Sequence, residues 1–159
     1  MDSIGFASHD HTRCITSGLT AVDSYCAQNG LKFTAVRRRV LEILLQQHRA
    51  LGAYEILDYL RREGLGSQPP VAYRALDFLV KHGFVHKIER LNAFIACTHP
   101  GSPHTPVFMI CRECTSVAEA QREPMQGQLG AVARAAGFLI ERTVVEAEGL
   151  CPKCQDLPE

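Results

Sequence analysis

The chain has 159 residues, 46% of them hydrophobic and 21% charged, which is apolar material for one ordinary domain or two small ones. Seventeen Lys and Arg balance seventeen Asp and Glu, so a histone-like polycation and an acidic disordered tail are both excluded. No apolar run approaches the roughly 20 residues that cross a bilayer, and the opening MDSIGFASHDHTRCITSG has no apolar stretch of the secretory kind. A cytoplasmic protein with no membrane partner is expected.

Residues 1–17 show no periodicity and read as a flexible arm. Leu19, Val22, Tyr25 and Cys26 then repeat at helical spacing up to Asn29-Gly30, a stop signal. Thr34 is a good N-cap for a second helix carrying Val36, Val40, Leu44 and Leu45 inward. Gly52 opens a third helix with Ala53, Ile56, Leu57 and Leu60 on one stripe, and Pro69-Pro70 opens a fourth with Ala72, Ala75, Leu76 and Leu79. Past Gly83 the period changes to two. Phe84–Glu89 and Ala93–Cys97 read as short strands joined by Arg90-Leu91-Asn92. Three helices, a fourth closed by glycine, and a hairpin give the order of a winged helix-turn-helix over 18–97, with the Pro69–His82 helix as its recognition helix.

Residues 98–106 (THPGSPHTP) form the clearest boundary and are read as a hinge. Beyond it, over 107–159, come a strand at Val107–Ile110, a shorter one around Ser116–Glu119, a helix from about Pro124 to Ala136 and a strand from Phe138 to Ala147. The fold class is therefore α+β, an N-terminal winged-helix domain followed by a small α/β unit. So thin a core needs a metal staple or a partner chain. Charge divides the same way. Residues 1–90 hold 12 basic and 9 acidic side chains, residues 91–159 hold 5 and 8.

Seven cysteines make an odd number, which argues against a disulfide framework. Four of them form two Cys-x-x-Cys pairs, Cys111/Cys114 and Cys151/Cys154, with 36 residues between. Two thiolates three apart at a tight turn face one ion, and two such turns complete a closed tetrahedral shell, the mark of a structural zinc. The interval is longer than the ribbon-type spacing of about 15–20 residues, so the intervening strand, helix and strand must bring the pairs together. A second, dispersed set comprises His86, Cys97, His99, His104 and Glu119. Imidazole, thiolate and carboxylate together suit zinc better than magnesium or calcium. His86 and Cys97 belong to the two strands of one hairpin. Cys14 and Cys26 are an arm thiol and a small core residue, and no motif of catalysis or small-molecule binding occurs. An enzyme is not expected.

The nucleic-acid face is the third feature. Arg37, Arg38 and Arg39 fan over about 200° of helix and cannot share one surface. Arg74 and Lys81, seven apart, do share one, with Tyr73 beside it. An arginine there takes a guanine edge while the tyrosine packs on a thymine methyl or a phosphate.

Five segments in order, LKFTAVRRRVLEIL, AYEILDYLR, PPVAYRALDFLVKHGFVHKIERLNAFIAC, HTPVFMICREC and VVEAEGLCPKC, resemble the ferric uptake regulator family of metal-dependent repressors, from about Leu31 to Cys154. The resemblance implies a homodimer on a palindromic operator in double-stranded DNA, with residues 107–159 as the dimerisation domain. It implies two Zn2+ per chain. One is structural, on Cys111, Cys114, Cys151 and Cys154. The other is regulatory, on His86, Cys97, His104 and Glu119, leaving His99 over. Tyr73, Arg74 and Tyr54 would approach DNA. Iron-type members carry a dense histidine run before the first cysteine pair; here the run is HTPVFMI, and Cys97 adds sulfur, so the zinc-type branch and repression of zinc-uptake genes are implied. The alternatives are an iron- or peroxide-responsive member of the same family, or a thiol redox switch.

Overall fold

The computed structural model describes residues 6, 11–46, 49–101, 104–122 and 127–155. It divides into two compact units, one over Ala7–Gly101 and the other over Ser102–Glu159 together with Phe6, the second boundary falling inside the Pro/Gly/Ser stretch.

The first unit holds α1 (His11–Asn29), α2 (Ala35–Leu45), α3 (Ala53–Arg62), α4 (Pro69–Lys81), β1 (Val85–Ile88) and β2 (Ala93–Ala96). Local signals set these limits. Thr34 caps α2 by accepting from Arg37 N at 3.3 Å, and Glu55 Oε1 accepts from Gly52 N at 3.3 Å at the start of α3. Pro69 and Pro70 occupy the first positions of α4, where a missing N–H costs nothing. That helix ends at Gly83, whose φ of +76° is open to glycine without strain. The core lies where α2, α3 and α4 meet the hairpin. Val40, Leu44, Leu51, Ile56, Leu60, Leu76 and Leu79 are fully buried, each contributing about 1.5–3 kcal/mol.

Two details correct the sequence reading of this unit. Residues 11–17 of the proposed 1–17 arm are helical, so α1 starts at His11 rather than Leu19. Its opening turns are largely exposed and carry no apolar stripe. Their threonines bond backward instead, Thr16 Oγ1 donating to Thr12 O and Thr20 Oγ1 to Thr16 O. Of the rest of that arm only Phe6 lies among the described residues. The hairpin also gains a third member, because Leu51 and Phe94 exchange backbone hydrogen bonds of 2.9 and 2.8 Å. An isolated bridge leaves no periodicity to read.

The second unit holds β3 (Thr105–Cys111), β4 (Val117–Arg122), α5 (Gln128–Ala135), β5 (Val145–Gly149) and α6 (Pro152–Gln155). Its sheet has the order β4-β3-β5, antiparallel between β3 and β4 and parallel between β3 and β5. Strand β3 starts at Thr105, so the connector read at 98–106 is shorter than its composition suggested. The expected strand over Phe138–Ala147 is found only from Val145. The reason is register: with Val145 opposite Val107, residues 138–142 run past the start of β3 at Thr105, and residues 138–144 have no partner strand among the described residues. Phe138 and Leu139 are left 68% and 78% exposed. The expected helix start at Pro124 lies outside the described residues. Inside, Phe108, Ile110, Val117, Ala118 and Ala133 make a small core. No helix among the described residues is long and apolar enough to cross a membrane.

Candidate metal centres and nucleic-acid interface

The four paired cysteines converge in the second unit. Cys111 ends β3, Cys114 follows one tight turn later, and α6 carries Cys154 one turn beyond Cys151. Their sulfurs all lie within 4.8 Å of one another. Cys114 Sγ and Cys151 Sγ are 3.7 Å apart, far longer than a disulfide. A tetrahedral ion with metal–sulfur bonds of ~2.3 Å sets its sulfurs about 3.8 Å apart. The parallel pairing of β3 with β5 does the assembly, since Cys111 faces Gly149 in register and Arg112 N donates to Gly149 O at 2.9 Å.

The electrostatics agree with a cation at the centre. Backbone N–H groups, those of Cys114 and Cys151 first, pull the Cys111 thiol down to about 6, and Cys151 N reaches its sulfur at 3.3 Å. Ser116, with its Oγ 3.1 Å from Cys114 Sγ, lowers the Cys114 thiol. The hydrogen bond to Cys151, then burial, pushes Cys154 up to about 12. Four crowded sulfurs do not all ionise unless a positive charge joins them. The turn itself puts Thr115 at φ +60°, a conformation a β-branched residue adopts at a cost. Ser116 and the N–H cradle were not found from the sequence, where a serine two residues past a cysteine carries no signal.

The dispersed donors fall into two pairs, one per unit. In the first unit Cys97 follows β2, its N–H donating to Phe84 O at 2.9 Å. It is thus the diagonal neighbour of His86 on one face of the hairpin, and a His86 ring nitrogen comes within 4.8 Å of Cys97 Sγ. In the second unit His104, just before β3, sits 2.9 Å from Glu119 through Nε2 and Oε1. Glu119 is only 4% exposed, and a buried carboxylate must be paired or bound to a cation. His99 is exposed, its ring meeting Thr98 Oγ1 at 2.9 Å and its N–H pointing at Cys97 Sγ. Cys26 is buried in the core of the first unit and burial raises its thiol; Cys14 lies part-exposed on α1.

On the first unit's surface the three consecutive arginines are each spent internally. The Arg37 guanidinium donates to Lys32 O and stacks 3.7 Å from the Phe78 ring centroid. Arg38 pairs with Asp23, and Arg39 forks onto Glu63 while reaching Glu42. Arg74 differs. It is exposed on α4 and has no side-chain partner among the described residues. Tyr73 beside it and Tyr54 on α3 are also exposed, so all three remain available to an external ligand.

The chain is similar to known proteins. Residues 28–147 match the model of the Ferric uptake regulator family. The zinc uptake regulation protein of Escherichia coli (strain K12) is 37% identical over 140 residues, 87% of this chain and 82% of that protein. The ferric uptake regulation protein of Staphylococcus epidermidis is 28% identical over 134 residues, 80% of this chain and 89% of that one. Among solved structures, a zinc uptake regulator complexed with zinc and DNA is 36% identical and covers 89% of this chain and 95% of that chain, with a TM-score of 0.83. Holo XcZur is 41% identical over 89% of this chain and 99% of that chain, with a TM-score of 0.79. The chain belongs to the ferric uptake regulator family.

Proposed function

We propose that this protein is a zinc-responsive transcriptional repressor of zinc-uptake genes, acting in the cytoplasm as a homodimer on a palindromic DNA operator. The observation that carries this reading is the similarity, over 89% of the chain, to a regulator solved with zinc and DNA. The donor chemistry and the free Arg74 support it. A regulator rather than an enzyme is the consistent reading, since the similar proteins are regulators of the same family.

Two zinc ions per chain are proposed, with different duties. Cys111, Cys114, Cys151 and Cys154 hold the structural one, in a closed shell that leaves no position for chemistry. His86 and Cys97 from the first unit and His104 and Glu119 from the second hold the regulatory one. Neither pair alone fills a four-coordinate shell, so occupancy requires both units together. The sulfur of Cys97 selects zinc over manganese and iron(II), which prefer oxygen and nitrogen.

Function follows from that division of ligands. Binding at the regulatory site fixes the winged helix relative to the dimerisation domain, over 107–159, and so sets the distance between two recognition helices. Half-sites one DNA turn apart, about 34 Å, then match the two-fold. Arg74 reads a guanine edge, and Tyr73 and Tyr54 contact thymine methyls or phosphates. Zinc and DNA must strengthen each other's binding equally. A switch from mostly incompetent to mostly competent needs about 5.5 kcal/mol of differential affinity, within reach of four ligands.

The test is duplex-DNA binding at buffered free zinc, with iron(II) and manganese in parallel. A steep rise with zinc alone is expected. An equal response to iron would move the protein to the iron-responsive branch, and a graded loss of DNA binding with oxidant at constant zinc would favour a thiol redox switch.

A further inference from the structure

Helix α4 carries an acidic side chain where an anionic ligand should disfavour one. Asp77 is exposed and has no hydrogen bond or ion pair among the described residues. The other acidic side chains of the helical core surface are engaged: Asp23 with Arg38, Glu42 and Glu63 with Arg39, Glu55 with Arg49, Asp58 with Arg61. Nor does the helix itself favour it. Asp77 lies in the second half of Pro69–Lys81, away from the positive N-terminal end that would favour a carboxylate.

Helical arithmetic places it inside the contact face. At about 100° per residue, setting Tyr73 at zero puts Arg74 at about 100° and Asp77 at about 40°, between them. Asp77 also lies about 4.5 Å further along the axis than Arg74, close to one base step. Any orientation of α4 that aims both Tyr73 and Arg74 into a groove therefore brings Asp77 in with them. A carboxylate there is repelled by phosphate and can only accept hydrogen bonds. In the major groove it has one productive class of partner, the exocyclic amino group of a base, cytosine N4 above all.

We propose that Asp77 is a specificity-determining residue of the DNA interface, accepting a hydrogen bond from a cytosine amino group at the base step next to the guanine read by Arg74. It lowers affinity for DNA in general and recovers it only where that cytosine is present, so it acts chiefly by rejecting other sequences. This rests on the DNA-binding reading above.

The experiment is selection of binding sites from a randomised duplex pool at fixed free zinc, comparing the full-length protein with Asp77→Asn and Asp77→Ala. Asp77 is exposed, and unchanged thermal melting and zinc content check that each variant folds. The expected result is a loss of preference confined to one position per half-site, roughly tenfold in discrimination, with stronger binding to unrelated duplex. Asparagine, which can pair with adenine, should shift that position toward adenine. Unchanged preference at every position with a uniform change in affinity would overturn the inference while leaving the function intact. A native protein that enriches no sequence at any zinc level would overturn the function, and this inference with it.

Discussion

The two units solve the same stability problem by different means. The first buries a continuous apolar cluster built from α1 to β2 and places its polar residues outside, where they pair with one another. The second has a small core, leaves Leu129, Val132, Phe138 and Leu139 exposed, and gathers four cysteines into one cluster. Units of that size usually need a staple. In one chain, then, apolar burial maintains the part that reads DNA, and the proposed zinc together with a second copy would maintain the part that assembles. On the proposed two-site reading, switching by zinc requires the structural ion to be held far more tightly than the regulatory one.

The contrast can be broken at several points. The largest effect is expected from Cys111→Ser or Cys151→Ser. Structural zinc supplies on the order of 10–16 kcal/mol in small metal-folded units, so either change should cost one zinc per chain, expose residues 107–159 to protease and give a monomer on gel filtration. A dimer with protected residues 107–159 would show that the staple is dispensable.

Leu76→Ala probes the other unit. A fully buried leucine truncated to alanine costs about 2–5 kcal/mol, and denaturant melts should register that while zinc content stays at the native level. Loss of zinc in this variant would mean that the units do not fold independently.

A smaller change, about 1 kcal/mol or less, is expected from Arg39→Ala. The forked ion pair to Glu63, at 2.7 Å, is only partly shielded from water. It also lowers the Glu63 carboxyl, so the pair's contribution is present above the unfolded carboxylate range and is lost as pH falls through the folded value. Melting curves at pH 7 and pH 3 should converge for native and variant at the lower pH.

The smallest concerns His82, the C-cap of α4, packed between Phe78 at 4.7 Å and Tyr25 at 5.8 Å. Burial first, then Lys81 and Arg37, hold its ring below the ordinary value of 6.5. A histidine depressed on folding takes up its proton more readily when unfolded, so stability falls as pH drops through about 6.5. An NMR titration should place His82 below that value, whereas an ordinary or raised value would contradict the packing.

What the sequence made legible follows the same divide. In the first unit, periodicity, caps and glycine stops located α2, α3, α4 and the hairpin, because each buries one face and advertises it. The opening of α1 was invisible, since a solvent-exposed helix with threonines bonded to their own backbone leaves no stripe. In the second unit the cysteine spacing announced the cluster, but the strand limits did not follow. Residues 138–144 are apolar and strand-like in pattern, yet a strand needs a neighbour, and they have none among the described residues. For the dispersed donors, His86 with Cys97 was visible as a hairpin pairing. His104 with Glu119 was not, because nothing in local pattern pairs a residue before β3 with one on β4.

On the proposed reading the two donor sets do separate work. Cys97→Ser tests it most directly, by measuring zinc per chain, oligomeric state and zinc-dependent DNA binding on one preparation. The variant should keep one tightly held zinc and remain a folded dimer, yet no longer bind operator DNA as zinc rises. A variant that loses both zincs and falls to monomer, or one that still binds DNA with the native response to zinc, would contradict it.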